Sequence, residues 1–242
     1  MRSRRQFIQL ALTTLIAAVE APHTRADTTL EPRIWLPMAV AVAPPPTADA
    51  PIVGPASGSP AAAERWLRVR CSYDYTPFDV AAIVERYREL GVWAGVDWFL
   101  ALAQMAHETG SLTSWWSQRP RRNPAGIGVT GRTLPGAPTR PPGPAWAWDS
   151  PAQLWREGVS FPTWNDHAIP AHLGRLLAYA RTDATASAEQ RQLIDYALMI
   201  RPLPAGYRGV APMISGLDGR WAVPGVGYGA RIVELAGRMR LA

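Results

Sequence analysis

The chain contains no lysine; all 25 of its basic residues are arginine. Its 242 residues include one cysteine, Cys71, and four histidines. A single cysteine excludes an intramolecular disulfide and a cysteine-based zinc site. The histidines do not make a metal centre either. His107-Glu108 does not open a zincin motif, because residue 111 is serine. His167 and His172 are five apart and lack partners. No metal and no other cofactor is expected. Charged residues are sparse at 18%, and residues 109–148 hold no Asp or Glu at all. Long apolar runs are also missing. The stretch Phe7–Val19 has 13 residues, about 20 Å as a helix, too short to cross a hydrocarbon core of about 30 Å with margin. The absence of lysine reads first as genome composition and carries no functional claim.

Apolar residues make up 48% of the chain, enough for a packed core. The start is organised as an address: Met1-Arg2-Ser3-Arg4-Arg5, then the short apolar run, then small residues up to Thr24-Arg25-Ala26. That is the pattern of an export signal rather than an anchor, and Ser3-Arg4-Arg5-Gln6-Phe7-Ile8 looks like the twin-arginine type. Cleavage after Ala26 fits better than after Ala21, which Pro22 follows. Loss of residues 1–26 removes four Arg and one Glu, so the formal charge of +6 falls to about +3. No stable membrane span is expected after cleavage. Residues 27–62 carry eight prolines, among them Pro44-Pro45-Pro46, and read as an extended linker.

The folded domain is expected over residues 63–242. Thr76-Pro77 opens a helix, with Val80, Ile83, Val84 and Tyr87 at helical spacing and Gly91 as its end. Asp97 caps the next, Phe99–Ala106, which is apolar on nearly all sides and therefore central, with Gly110 as C-cap. Residues 111–148 change character, with Trp115, Trp116, Gly-rich turns and five prolines between 135 and 144. A small lobe with a hairpin over 127–133 is expected there. Helix returns at 151–157, at 164–181 with a kink or restart at Pro170, at 185–200 and at 228–240. The class is mainly α, or α+β, with a small inserted β lobe.

Glu108 is the leading chemical candidate. Burial at the end of an apolar helix disfavours its ionised form, and the helix's negative pole adds to that. A carboxyl held protonated near neutral pH is what a general acid for glycosidic cleavage requires. The glycines and tryptophans that follow suit a cleft wall facing sugar rings. Arg119, Arg121, Arg122, Arg132 and Arg140 put five positive charges in a lobe without acids, a field that attracts an anionic wall polymer. Nucleic acid is opposed by the export signal and by the absence of a nucleic-acid motif.

Three stretches in order resemble the bacterial endo-β-N-acetylglucosaminidase family of cell-wall autolysins: His107-Glu108-Thr109-Gly110-Ser111, Asn123-Pro124-Ala125-Gly126-Ile127-Gly128, and the pair Leu217–Ala222 and Gly227–Ile232. The resemblance covers roughly residues 80–240. It implies a lysozyme-like helical domain with a small β-hairpin lobe, and an exported hydrolase of peptidoglycan glycan strands acting in the cell wall or outside the cell. In that family the Glu matching Glu108 is the general acid, and the Tyr matching Tyr228 lines the cleft near it. Asn123 and Gly126 shape the lobe, and Trp115 and Trp116 are candidate sugar platforms. The second motif departs from the family's Asn-Leu-Phe-Gly-Ile-Lys at three positions, which puts the hairpin's sugar contacts in doubt. The second carboxylate common in the family is missing from 109–148. Asp149 is then the first candidate for base or nucleophile, with Asp166 behind it. Attack by the substrate's own acetamido group, a one-acid lytic transglycosylase or muramidase, and a non-catalytic wall-binding module remain the alternatives.

Overall fold

The computed structural model describes residues 49–204 and 206–242. The expected export signal, residues 1–26, and residues 27–48 of the expected linker lie outside the described residues. The rest of that linker is not a tether. Residues 49–62 pack on the domain: Ala50 and Ile52 are buried, the Ile52 N–H donates to the Pro212 carbonyl, and the Ile52 carbonyl accepts from Asp97 N–H. Helix α1 (Pro60–Arg68) already begins inside the stretch, capped by Ser59. Pro60 is tolerated because it occupies the first turn, where an N–H has no partner to lose.

Helix α2 spans Pro77–Ala94 and α3 spans Trp98–Thr109. Thr76 and Asp79 form a capping box at the start of α2. The helix runs through Gly91, its expected end, and stops at Gly95. Gly91 is there for close approach, since a Cβ on it would lie 2.4 Å from Trp98 Cβ. Asp97 caps α3 by accepting from Phe99 and Leu100 N–H, and Gly110 closes it in the left-handed region. From Trp98 to Ala106 α3 is buried throughout, in contact with α1, α2 and α6 (Tyr228–Arg240).

The β lobe follows α3. It is an antiparallel sheet of β1 (Thr133–Pro135), β2 (Trp146–Asp149) and β3 (Leu154–Glu157) in the order β1-β3-β2. Two expectations are corrected here. Residues 127–132 form a turn and an irregular stretch rather than a hairpin: Asn123 and Val159 take the backbone groups of Ile127, and the Arg132 carbonyl accepts from Glu157 N–H. The helix expected at 151–157 is the central strand β3. Trp155 sits opposite Trp148 across the ladder, with ring centroids 5.3 Å apart, a cross-strand aromatic pair that favours strand over helix.

The chain returns to helix through a π-helical turn, Trp164–Ala168, and then α4 (Ile169–Ala180), with Pro170 in its first turn. Pro170 thus restarts the helix. Helix α5 (Ala188–Ile200) packs on α4. A 3₁₀ turn, Ile214–Leu217, leads towards α6. The class is mainly helical with a small three-stranded lobe, the layout expected of a lysozyme-like domain. No helix among the described residues is long and apolar enough to cross a membrane.

The α4–α5 crossing depends on Gly174, where a Cβ would stand 1.9 Å from the Leu193 carbonyl oxygen. Backbone must therefore move to admit a methyl group. Gly174→Ala is expected to destabilise the domain by about 2–3 kcal/mol, read as a lower urea midpoint at unchanged slope.

Candidate active site

Glu108 lies in the last turn of α3 and opens onto a cavity of about 460 Å³. The opposite walls are the 125–129 loop, Arg175, Tyr179, Arg201 and residues 220–223. Burial raises the pKa of Glu108 above the ordinary carboxylate value, while hydrogen bonds from Tyr228 and then Trp221 pull the other way.

Tyr228 begins α6, where Asp218 fixes the entry. The Asp218 carboxylate accepts from Gly227 N–H at 2.8 Å and from Gly229 N–H at 2.7 Å. From that position Tyr228 Oη donates to Glu108 Oε1 at 2.5 Å. The tyrosine is only 1% exposed, and its hydroxyl is taken up by Glu108 and Gln104.

Behind Tyr228 a buried chain of polar groups runs through the helical core. Gln104 Nε2 donates to Tyr228 Oη at 2.8 Å. Gln104 Oε1 lies 3.0 Å from His172 Nε2, and His172 Nδ1 lies 2.8 Å from Tyr87 Oη. With Glu108 Oε1 accepting, a single direction satisfies every member. Tyr87 donates to Nδ1, the Nε2–H of neutral His172 donates to Gln104, Gln104 donates to Tyr228, and Tyr228 donates to Glu108. Burial pushes His172 down to about 3, so the ring holds one proton and this order is stable. The chain occupies Oε1 of Glu108. Oε2 faces Gly126, whose Cβ position would be 3.7 Å away. Tyr228 thus occupies Oε1 and leaves Oε2 on the side of the 125–129 loop.

Gly126 is at φ +63°, in the left-handed region that glycine alone occupies freely. Asn123 holds this loop with a fully satisfied amide. Its Nδ2 donates to Ile127 and Val159 carbonyls, both at 2.9 Å, and its Oδ1 accepts from Ala125 and Ile127 N–H.

Other candidate residues are not brought to Glu108. Asp149 is buried at the end of β2, accepting from Arg156 Nε at 2.6 Å and from Ala152 N–H. Arg156 holds its pKa below the ordinary value. Asp149 is not among the residues lining the cavity. Asp166 caps the π-helical turn with Thr163, exposed and elsewhere. Trp115 and Trp116 meet edge to face, centroids 4.8 Å apart, with Arg121 3.7 Å over Trp115 and Trp116 against Gly158. Neither tryptophan lines the Glu108 cavity. No group of three or more His, Cys, Asp or Glu side chains suited to a metal ion occurs among the described residues.

Sequence reasoning missed Gln104, His172 and Trp221 as parts of the site. Gln104 was visible in principle. It stands four residues before Glu108 on an otherwise apolar helix, hence on the same face.

No protein-family model matches the chain, and no curated protein matches it. Among solved structures, the chain is similar to the catalytic domain of the autolysin Auto from Listeria monocytogenes, at 14% identity and a TM-score of 0.39, over 66% of this chain and 81% of that one.

Removing one link strands buried partners on both sides. Gln104→Leu is expected to cost about 2–4 kcal/mol in denaturant unfolding. The chain also sets an acid limit. Unfolded histidine titrates near 6.5 and folded His172 at about 3, so the stability it contributes is complete above pH 6.5 and is lost as pH falls. Relative to His172→Gln, the wild type should lose about 2 kcal/mol by pH 5.

Proposed function

We propose that the protein is a glycosidase of peptidoglycan that cuts the β-1,4 bond after N-acetylglucosamine, with Glu108 as its general acid. The observation that carries this reading is a carboxyl group half-buried at the mouth of a polar cavity. One of its oxygens is fixed by Tyr228, the other lies on the side of the loop that holds Gly126, and burial raises its pKa. The resemblance of the three motifs around Glu108, Asn123 and Tyr228 to the autolysin glucosaminidases supports the substrate class. The pattern of residues 1–26 supports export by the twin-arginine route, and with it a place of action in the cell wall or outside the cell.

Glu108 is the one carboxylate among the residues lining the cavity, which favours a mechanism needing one protein acid. Glu108 Oε2–H protonates the glycosidic oxygen as the C1–O bond breaks. The carbonyl oxygen of the substrate's 2-acetamido group forms a bond to C1, giving a cyclic oxazolinium intermediate and an ionised Glu108. A water then attacks C1 and gives its proton back to Glu108. The C1–acetamido bond breaks, leaving a reducing sugar with retained configuration. Tyr228, Gln104 and His172 are positioning residues in this scheme. They hold Oε1 so that the proton is carried by the oxygen facing the substrate.

The single carboxylate also suits a lytic transglycosylase, in which the 6-hydroxyl of a muramyl sugar closes onto its own C1 and no water enters. Mass spectrometry of digests of purified peptidoglycan separates the two. The expected products carry reducing N-acetylglucosamine ends and disappear with Glu108→Gln. Anhydro-muramyl ends lost in the same variant would move the protein to the transglycosylases. No product from a wild type that binds the walls would leave a binding module.

A further inference from the structure

A second cavity of about 410 Å³ adjoins the first. The two share four lining residues: Arg175, Tyr179, Arg201 and Arg220. Three arginines thus stand on the ridge between the Glu108 cavity and a pocket floored by Pro202, Leu203 and Tyr207. The described residues form nine ion pairs, and none involves these three arginines. Arg175 and Arg220 are instead held by neutral groups. Arg175 donates to the Arg201 carbonyl at 2.9 Å and lies 5.9 Å from the ring centroids of both Tyr179 and Trp221. Arg220 donates to the Gly216 carbonyl at 3.0 Å, while its own carbonyl accepts from Tyr179 Oη. Burial and the neighbouring Arg201 charge both lower the pKa of Arg175, with Tyr179 opposing them. Some arginines elsewhere in the chain meet a carboxylate, as at Arg119–Asp79 and Arg156–Asp149. Three like charges gathered without one are held at a cost that an anionic ligand would remove.

We infer that Arg175, Arg201 and Arg220 form an anion subsite that takes a carboxylate carried on the glycan next to the bond being cut. The inference rests on the glycosidase reading and adds to it a preference for acidic over neutral sugar chains. Guanidinium groups suit the purpose because their planar donors pair with carboxylate oxygens two at a time. The adjoining pocket gives the substituent that bears the carboxylate room beyond the sugar. In peptidoglycan two sources share this chemistry: the lactyl carboxylate of a muramyl sugar without its peptide, and the carboxylates of a peptide stem.

The test is calorimetric binding to the full chain carrying Glu108→Gln, so that turnover does not intervene. Three probes are used: a neutral N-acetylglucosamine tetramer, a peptide-free peptidoglycan tetrasaccharide, and the same tetrasaccharide with its peptide stems. At low salt at least one acidic glycan should bind about tenfold tighter than the neutral one. That advantage should shrink in 0.5 M salt, about where the Debye length drops to a few ångströms. It should be lost on adding Arg175→Gln, Arg201→Gln and Arg220→Gln together, and partly restored by lysine at the same positions. If the triple variant does not fold, Arg201→Gln with Arg220→Gln serves, since both side chains are exposed. Preference for the peptide-free chain assigns the lactyl carboxylate, and preference for the stem-bearing chain assigns the peptide. Equal binding of neutral and acidic glycans, or a preference that survives the substitutions, overturns the subsite while leaving the glycosidase reading in place. Failure of every glycan to bind overturns both.

Discussion

The hydrogen bond from Tyr228 Oη to Glu108 Oε1 balances two effects of opposite sign. Burial at the C-terminal end of α3 resists a negative charge on Glu108. Tyr228 and Trp221 favour that charge, and burial prevails. The carboxyl is therefore both poised to hold a proton and fixed in the orientation that presents it. The bond can do this because Tyr228 is itself held. Gln104 on α3, His172 on α4 and Tyr87 on α2 stand behind it in one buried, directional chain. Four helices meet through these side chains, so the polar chain specifies the packing of the helical domain as well as the orientation of the acid.

The surroundings divide the labour. The helical domain supplies Glu108, its supporting chain and, on the 220–223 segment, Trp221. The β lobe and its approach supply the 125–129 loop, held by the four hydrogen bonds of Asn123. The Asp149–Arg156 pair serves the lobe's own turn between β2 and β3, which leaves the cavity with a single carboxylate. On the far side of the cavity the arginine ridge reverses the sign of the local charge.

Much of the helical frame was legible because its signals are local. Thr76-Pro77, Asp97 and Gly110 mark helix ends by capping chemistry, and the unbroken apolar stretch of α3 marks it as central. Gly91 misled because a glycine that ends a helix and a glycine that lets another element approach look alike in sequence; only Trp98 distinguishes them. The strand β3 was hidden for a related reason. Leu154–Glu157 has no local preference strong enough to overrule a helical reading, and its partners at 133–135 and 146–149 are supplied by the fold. Residues 49–62 read as linker because proline content conceals the anchoring Ile52 and the start of α1. Of the site, Glu108 was readable from burial logic, and Tyr228 only through resemblance. The chain of Gln104, His172 and Tyr87 required knowing which helix faces meet. Arg175, Arg201 and Arg220 are separated by 45 residues of sequence and carry no motif.

The central claim is that Glu108 is a carboxyl kept protonated beyond the ordinary range while its Oε1 is held by Tyr228. A ¹³C NMR titration of labelled glutamate side chains, assigned by loss of one signal in Glu108→Gln, tests it directly. Glu108 is expected to titrate above the other glutamates, and to move further up in Tyr228→Phe, where the bond that favours its ionised form is gone. A wild-type Glu108 that titrates with or below the exposed glutamates, or one that Tyr228→Phe leaves in place, would contradict the account.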